Sequence, residues 1–377
     1  MSMRQTSHPI RRVGRYRQRG LSLIELMVSL TIGLVIVTTI GYVYVGAAAT
    51  FRSLDASSRI QENVRFAFER MSHDIRMAGF TGCAYRTTAN VLNNPDDWGH
   101  ALFTMPVVGY EASATLPTGV PAALRGDAIS VIRADNAREY IVDTHNPNSA
   151  QFQLKANHDL KQGELLVVTD CQHAALFQMT NVNNNNNNIA TVNHNTGNAT
   201  TPGNCTKGFG LPVPNPCNTN GTPYTFSEGS RILRLSAITY VILNKETNNS
   251  LPERPALFRR AMRADGSGNE VQVSEELVDG IADMQLRYGV DTTVPADGTV
   301  DTYVSASDVA ATAPGTTDQE RWARVLAVQI DLLTVSKPDQ QVATEPQSYY
   351  YNGATVTPSD RLMRKAFTTT VAVRNRL

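Results

Sequence analysis

The sequence lacks the motifs by which many enzymes are recognised. It contains no HExxH metal-binding helix, no phosphate-binding P-loop and no strand-to-helix turn around a nucleophilic serine. The seven histidines are scattered along the chain: His8, His73, His100, His145, His158, His173 and His194. We therefore interpret them as surface or loop residues, and the sequence predicts neither a catalytic centre nor a cofactor.

The chain has no net charge, because 34 basic residues balance 34 acidic ones, but the charges are unevenly placed. The first twenty residues contain six arginines and no acid, so the remainder carries an excess of acid. An acidic body argues against direct binding of nucleic acid. A chain of 377 residues with 41% hydrophobic and 18% charged residues is expected to form one large folded domain or two small ones.

Cysteine is scarce, with only Cys83, Cys171, Cys205 and Cys217. No two of them have the close CxxC spacing of a zinc site. In an exported chain, four cysteines favour two disulfide bonds, for which three pairings exist. The short separation of Cys205 and Cys217, within a stretch rich in proline, glycine and asparagine, favours that pair and leaves Cys83 with Cys171. The sequence alone does not decide among the pairings.

Residues 26–51 contain no charged residue, and no proline lies between Pro9 and Pro95. At about 1.5 Å per residue, a helix of this length exceeds the roughly 30 Å hydrocarbon core of a bilayer. The arginines before it predict a cytoplasmic amino terminus, with the chain beyond Phe51 on the other side. A cleaved secretory signal is the alternative, since residues 47–50 (AAAT) resemble a cleavage site, but the apolar run is too long for its core.

The helical pattern continues over residues 52–78 as an amphipathic stretch. Its apolar stripe recurs at alternating intervals of four and three positions: Val64, Phe68, Met71, Ile75 and Ala78. Opposite charges four positions apart, including Arg70 and Asp74, are expected to support the polar face. With Gly79 as terminator, the sequence predicts one helix over residues 21–78 whose second half packs on a globular head.

The start of this helix resembles the type III signal of type IV prepilins and type II secretion pseudopilins. The match consists of the basic leader, Gly20, the sequence LSLIEL after it and the acid Glu25. The resemblance implies that a prepilin peptidase removes residues 1–20 on the cytoplasmic side and methylates the new amino terminus at Leu21. Glu25 is then the fifth residue of the mature chain.

The resemblance also implies a role for this acid. A carboxylate in hydrocarbon costs at least a few kcal/mol, so it needs a partner. In the family, the residue at the position of Glu25 pairs with the amino terminus of an adjacent subunit in the filament. The alternative is a glutamate reaching back to the membrane surface, which does not explain its spacing from Gly20. Two departures from major pilins are Leu21 in place of phenylalanine and Tyr42 where many have a helix-kinking proline.

Residues 79–377 change from a helical to an alternating pattern. Apolar and polar residues alternate at 284–290, 326–332 and 367–373, which predicts half-buried strands of a mainly antiparallel sheet. The predicted fold class is therefore α+β, with a long amino-terminal helix packed on a β-rich head.

The middle of the head, near residues 181–223, is low in complexity. It contains an asparagine run and a segment rich in proline and glycine, which predicts exposed and disordered loops. The alternative is a partner-binding surface cross-linked by Cys205 and Cys217.

An acidic loop at residues 291–301 is a weak candidate for calcium. Its oxygen ligands would be Asp291, Asp297 and Asp301. The loop lacks the ligand at every second position and the final glutamate of an EF-hand, so a solvated turn between strands is favoured.

Four further stretches resemble the PilW-type minor pilins: GFTGCAY (79–85), DGIADMQLRYGVD (279–291), WARVLAVQIDLL (322–333) and FTTTVAVRNRL (367–377). The resemblance implies a non-catalytic pilin of a Gram-negative bacterium that is anchored in the inner membrane, helps to prime pilus assembly and lies at or near the tip. Its implied partners are the prepilin peptidase, other minor pilins, the major pilin and a large tip adhesin. The alternatives are a J-type pseudopilin of type II secretion, typically much shorter, and a membrane-anchored periplasmic enzyme or sensor.

Overall fold

The computed structural model describes residues 20, 22–83, 86–112, 114–118, 120–123, 125–181, 190–245, 253–337 and 345–375. The chain divides into two compact units, Met1–Leu54 and Asp55–Leu377. The boundary lies within the long helix, whereas the sequence predicts a head that begins at residue 79. The amphipathic part of the helix therefore belongs to the same unit as the strands.

The long helix α1 spans Leu23–Arg76, which is two residues shorter at each end than predicted. Its amino-terminal half has exposed apolar side chains and is long and apolar enough to cross a membrane. In the second unit, the predicted stripe is buried at Val64, Met71, Ile75 and Ala78, and Phe68 is partly buried. The stripe thus faces the core of the head as predicted.

Two further helices and sixteen strands follow in the described ranges. The helices are α2 (Ala306–Thr312) and α3 (Asp318–Trp322). The strands are β1 (Thr87–Asn90), β2 (Val107–Tyr110), β3 (Ala128–Asn146), β4 (Gln151–Leu154), β5 (Leu165–Thr169), β6 (His173–Gln178), β7 (Thr191–Asn193), β8 (Arg231–Asn244), β9 (Pro255–Ala264), β10 (Glu270–Asp279), β11 (Ile281–Val290), β12 (Thr302–Val304), β13 (Val325–Val335), β14 (Tyr349–Tyr351), β15 (Ala354–Val356) and β16 (Arg364–Ala372).

These strands form a ten-stranded sheet, a four-stranded sheet and a two-stranded hairpin. The order in the large sheet is β1-β6-β5-β8-β3-β4-β7, with β2 on β3, β9 on β8 and β10 on β9. The small sheet has the order β12-β11-β13-β16. Among the described strands only β1 and β6 pair in parallel, so the predicted α+β fold with a mainly antiparallel sheet is confirmed.

The main hydrophobic core lies between the helix and both larger sheets. Met71 of α1 belongs to the same buried cluster as Tyr240 of the large sheet and Leu332 of the small sheet. A second cluster, containing Phe152 and Phe209, fills the far part of the large sheet. The helix thus joins the two sheets, whereas the second cluster is built from strands and loops alone.

The region near residues 181–223 differs from the prediction of exposed, disordered loops. Residues 182–189 lie outside the described residues, but residues 202–210 are mostly buried, and mainly residues 211–223 are exposed. The side-chain amide of Asn204 accepts from the backbone N–H of Gln178 at 2.8 Å and donates to its carbonyl at 2.8 Å. Hydrogen bonds to side chains here take the place of the backbone hydrogen bonds of a regular strand. The amino-acid composition alone does not reveal such bonds and therefore suggested a disordered segment.

Candidate functional site

The first turn of α1 contains a reciprocal hydrogen-bond pair between Ser22 and Glu25. The hydroxyl of Ser22 accepts from the backbone N–H of Glu25 at 3.2 Å, and a carboxylate oxygen of Glu25 accepts from the backbone N–H of Ser22 at 3.0 Å. This is the capping box, in which two otherwise unpaired backbone donors at a helix start are satisfied. The sequence signal was present as S-x-x-E within LSLIEL, but our sequence interpretation missed it.

The capping box places the acid at the amino-terminal end of the helix. The same carboxylate oxygen of Glu25 also accepts from the hydroxyl of Ser22 at 3.0 Å. Negative charge is favoured at this end of a helix because the unpaired N–H groups carry partial positive charge. Leu21, the predicted new amino terminus, lies outside the described residues, as do residues 1–19.

Gly20 is not required by close packing. A Cβ atom built at this position meets no described atom within 4 Å. The same holds for Gly33, which lies within the helix.

The threonine side chains in the apolar half of α1 are satisfied within the helix. The hydroxyls of Thr31, Thr38, Thr39 and Thr50 donate to backbone carbonyls three or four residues earlier, at 2.8 to 3.0 Å. In hydrocarbon, unpaired polar groups cost several kcal/mol each, so this internal pairing suits a membrane-spanning helix.

The four cysteines form two disulfide bonds, Cys83 with Cys171 and Cys205 with Cys217. The expectation of two disulfides is therefore confirmed, in the pairing that the spacing favoured. The first bond links the segment after α1 to the turn between β5 and β6. The second joins the buried and the exposed parts of the segment at residues 201–223.

The three carboxylates of the calcium candidate act as hydrogen-bond acceptors within their own loop. Asp291 accepts from the backbone N–H groups of Asp297 and Gly298 at 3.1 and 3.0 Å. Asp301 accepts from Thr292, and Asp297 accepts from Thr299. In the described parts of the chain, no three His, Cys, Asp or Glu side chains converge as ligands for a metal ion.

Most of the histidines that the structure describes are buried. His8 lies outside the described residues, and His73 is exposed. The other five are buried: His100, His145, His158, His173 and His194. The expectation of surface or loop positions was wrong for His145 and His173, which are buried on β3 and β6, whereas His100, His158 and His194 lie in loops but are also buried. The polar groups and aromatic rings that satisfy a buried imidazole come from distant parts of the chain and leave no local signal.

Two of these histidines form a neutral pair in the second core. The Nε2 atoms of His145 and His194 are 3.3 Å apart, and Nδ1 of His145 accepts from the backbone N–H of Phe226 at 3.1 Å. Nε2 of His145 is then the donor to His194. Burial lowers the pKa of His145 to about 4, so the pair is uncharged at neutral pH. Both rings pack against Phe152 and Phe209 in this core.

The second unit contains a buried ionic cluster on the inner face of α1. Asp74 is fully buried, and its Oδ1 accepts from Nε of Arg133 on β3 at 3.1 Å. Its Oδ2 accepts from the hydroxyl of Tyr240 on β8 at 2.6 Å. Nε of Arg70 is further away, at 3.8 Å from Oδ2, so the predicted pair of Arg70 and Asp74 forms, but its acid lies on the buried face of the helix and not on the polar face. The cluster fixes the helix to the large sheet.

Two protein families match this chain, one near its amino terminus and one in its carboxyl-terminal part. Residues 15–41 match the prokaryotic N-terminal methylation motif, which covers both Gly20 and Glu25. Residues 239–375 match the type IV pilus-assembly protein W family, PilW, and include β9 to β16. No curated protein and no solved structure matches the chain significantly. The chain therefore carries a match to the amino-terminal signal of type IV prepilins and a match to the PilW family, and these two matches point to a pilin-type structural protein.

Proposed function

We propose that the protein helps to prime assembly of a type IV pilus and remains at or near the pilus tip. The observation that carries the proposal is the presence, in one chain, of the prepilin methylation motif and a PilW domain. The proposed partners are other minor pilins, the major pilin and a large tip adhesin.

The amino-terminal unit supports a specific order of events. The precursor would lie in the inner membrane of a Gram-negative cell, with its arginine-rich leader in the cytoplasm and its head in the periplasm. A prepilin peptidase would cut between Gly20 and Leu21 and methylate the new amino terminus. The carboxylate of Glu25 would then meet the amine of a neighbouring subunit as the chain enters the filament.

The size of the head supports a terminal position. The head contains a ten-stranded sheet in addition to the four-stranded sheet. Every subunit inside a helical filament has neighbours on both sides along the axis, whereas a subunit at the end has them on one side only. A head with this much additional structure is accommodated most easily at the end.

A deletion strain tests the proposal. We expect the native host without this gene to lose surface pili, to secrete exoenzymes normally, and to recover pili on complementation. The measurements are pilus counts by electron microscopy and exoenzyme activity in the medium. Normal pili with lost secretion would instead assign the chain to the pseudopilins of type II secretion.

Replacement of Gly20 by alanine is expected to block removal of the leader. The added methyl group meets no described atom within 4 Å, so we expect its effect to fall on recognition by the peptidase. Intact mass spectrometry of the membrane fraction should show the full-length precursor. The matched control is Gly33→Ala, which also adds a methyl group in open space and should be processed normally. Normal loss of the leader in Gly20→Ala would contradict the assignment.

A further inference from the structure

A polar cavity of about 450 Å³ opens where the large sheet forks. Strand β8 pairs with β5 up to Arg234 and with β9 from Ile238 onwards. The cavity lies at this gap, between the beginning of β5 and the end of β9. Its volume is within the range of pockets that bind small molecules.

The acidic side chains of the cavity already have basic partners. Asp135 pairs with Arg133, Asp159 with Arg138 and Arg234, Glu164 with Arg234, and Glu270 with His100. Arg234 is shared by two of these acids, and Arg133 also pairs with the buried Asp74, so these basic partners are not in excess.

Three other cations on the cavity wall lack a buried anionic partner among the described residues. Lys161 and Arg263 form no ion pair with any described residue, and Arg259 pairs only with the largely exposed Glu275, at 3.3 Å. The lining as a whole is balanced, with four acidic and four basic side chains, but these three cations lie together on the wall without a buried anionic partner in the described part of the chain, which favours an anionic group beside them.

Two buried polar atoms on the wall have no hydrogen-bond partner among the described residues. One is Nε of Arg259, a residue that is 7% exposed. The other is Oε1 of Glu270, whose Oε2 is 3.0 Å from Nε2 of His100. Buried polar atoms are normally paired, and each exception calls for an explanation. Nε of Arg259 is a donor that could bind an anion, and Oε1 of Glu270 is an acceptor that could bind a hydroxyl group.

We propose that this cavity binds a small hydroxylated carboxylate, such as an acidic sugar. Its carboxylate accepts from Arg259 in the field of Lys161 and Arg263, and one of its hydroxyls donates to Glu270. An arginine pairs well with a carboxylate because the hydrogen bonds are charge-assisted. A cationic donor to Glu270 is disfavoured because Lys161, Arg259 and Arg263 line the same cavity.

Titration calorimetry of the full-length chain in detergent, at constant ionic strength, tests the proposal. The probe is D-glucuronate, and D-glucose is the matched sugar without a carboxylate. We expect saturable binding of glucuronate with one site per chain, and an affinity for glucose at least about tenfold weaker. Absence of saturable binding, or equal affinities for the two sugars, would overturn the proposal.

Three variants locate the site. Arg259→Met keeps the apolar stem and should weaken glucuronate binding at least about tenfold. The double variant Lys161→Gln/Arg263→Gln alters two exposed side chains and should weaken it about fivefold or more. Arg287→Gln removes an exposed cation from β11, outside the cavity, and should bind as the unmodified chain does. If Arg259→Met fails to fold, the double variant decides, and unchanged binding in it would refute the site.

Discussion

Replacing Asp74 by alanine is expected to lower the free energy of unfolding of the head by about 3–5 kcal/mol. The substitution removes the acceptor of the Tyr240 hydroxyl, at 2.6 Å, and the described residues provide no other. It also removes an anionic partner of Arg133, whose side chain is only 5% exposed. Arg133 then keeps Asp135, with Nη1 at 3.4 Å from Oδ1, as its remaining anionic partner. Breaking a buried ion pair is costly because the remaining charge stays desolvated.

The measurement is urea denaturation of the full-length chain in detergent, followed by tryptophan fluorescence. The matched control is Glu69→Ala on the same helix, which removes an exposed carboxylate and should change the free energy of unfolding by less than about 0.5 kcal/mol. Equal denaturation midpoints for Asp74→Ala and Glu69→Ala would refute the structural role of the cluster.

The effect of Asp74 should depend on pH. Burial raises the pKa of Asp74, but the hydrogen bond from Tyr240 and the charge of Arg133 outweigh it, so the pKa is lowered overall. A carboxyl group whose pKa is lower in the folded state than in the unfolded state stabilises the fold when it is ionised. This stabilisation is fully present above the unfolded-state pKa, near 4, and is lost as the pH falls through the folded-state pKa. The difference between the unmodified chain and Asp74→Ala should therefore be constant near neutral pH and shrink below about pH 4.

Replacing Glu25 by alanine should leave leader removal intact but strongly reduce entry into filaments. The substitution leaves Gly20 untouched, so the peptidase still cuts, while the carboxylate proposed to meet the amine of an adjacent subunit is lost. We expect cleaved protein in the membrane and little in sheared pili, measured by quantitative immunoblotting. Normal abundance in sheared pili would count against the proposed role.

The capping box makes it possible to separate charge from helix capping. Glu25→Gln keeps an acceptor for the backbone N–H of Ser22 but removes the negative charge. Ser22→Ala removes the hydroxyl of the cap but keeps the charge. If charge pairing governs assembly, Glu25→Gln should fail as Glu25→Ala does and Ser22→Ala should assemble. The opposite pattern would assign Glu25 to helix capping alone.

The periodic elements of the fold could be predicted from sequence. The alternating stretches at 284–290 and 326–332 lie within β11 and β13, and the stretch at 367–373 overlaps β16. Local periodicity reports which side of an element is buried, and it does so whatever the rest of the fold is. The same argument placed the stripe of α1 correctly.

Features made by distant residues could not be predicted. Asp74 was assigned to the polar face because its neighbour Arg70 is four positions away, whereas its closest partners lie on β3 and β8. The segment at 202–210 looked disordered because its backbone is held by the side chain of Gln178, which lies on β6 and is distant in the sequence. In both cases a polar residue is buried because a matching group comes from elsewhere in the chain.

The two disulfide bonds give the head a stability that depends on its redox surroundings. They close loops of 88 and 12 positions, and in the chain-entropy account each bond contributes between about 3 and 5 kcal/mol. That is comparable to the whole free energy of unfolding of many domains. A head kept in a reducing compartment would lack this contribution and would be the easier target for proteases. Oxidation would therefore stabilise the heads of those subunits that have reached an oxidising compartment.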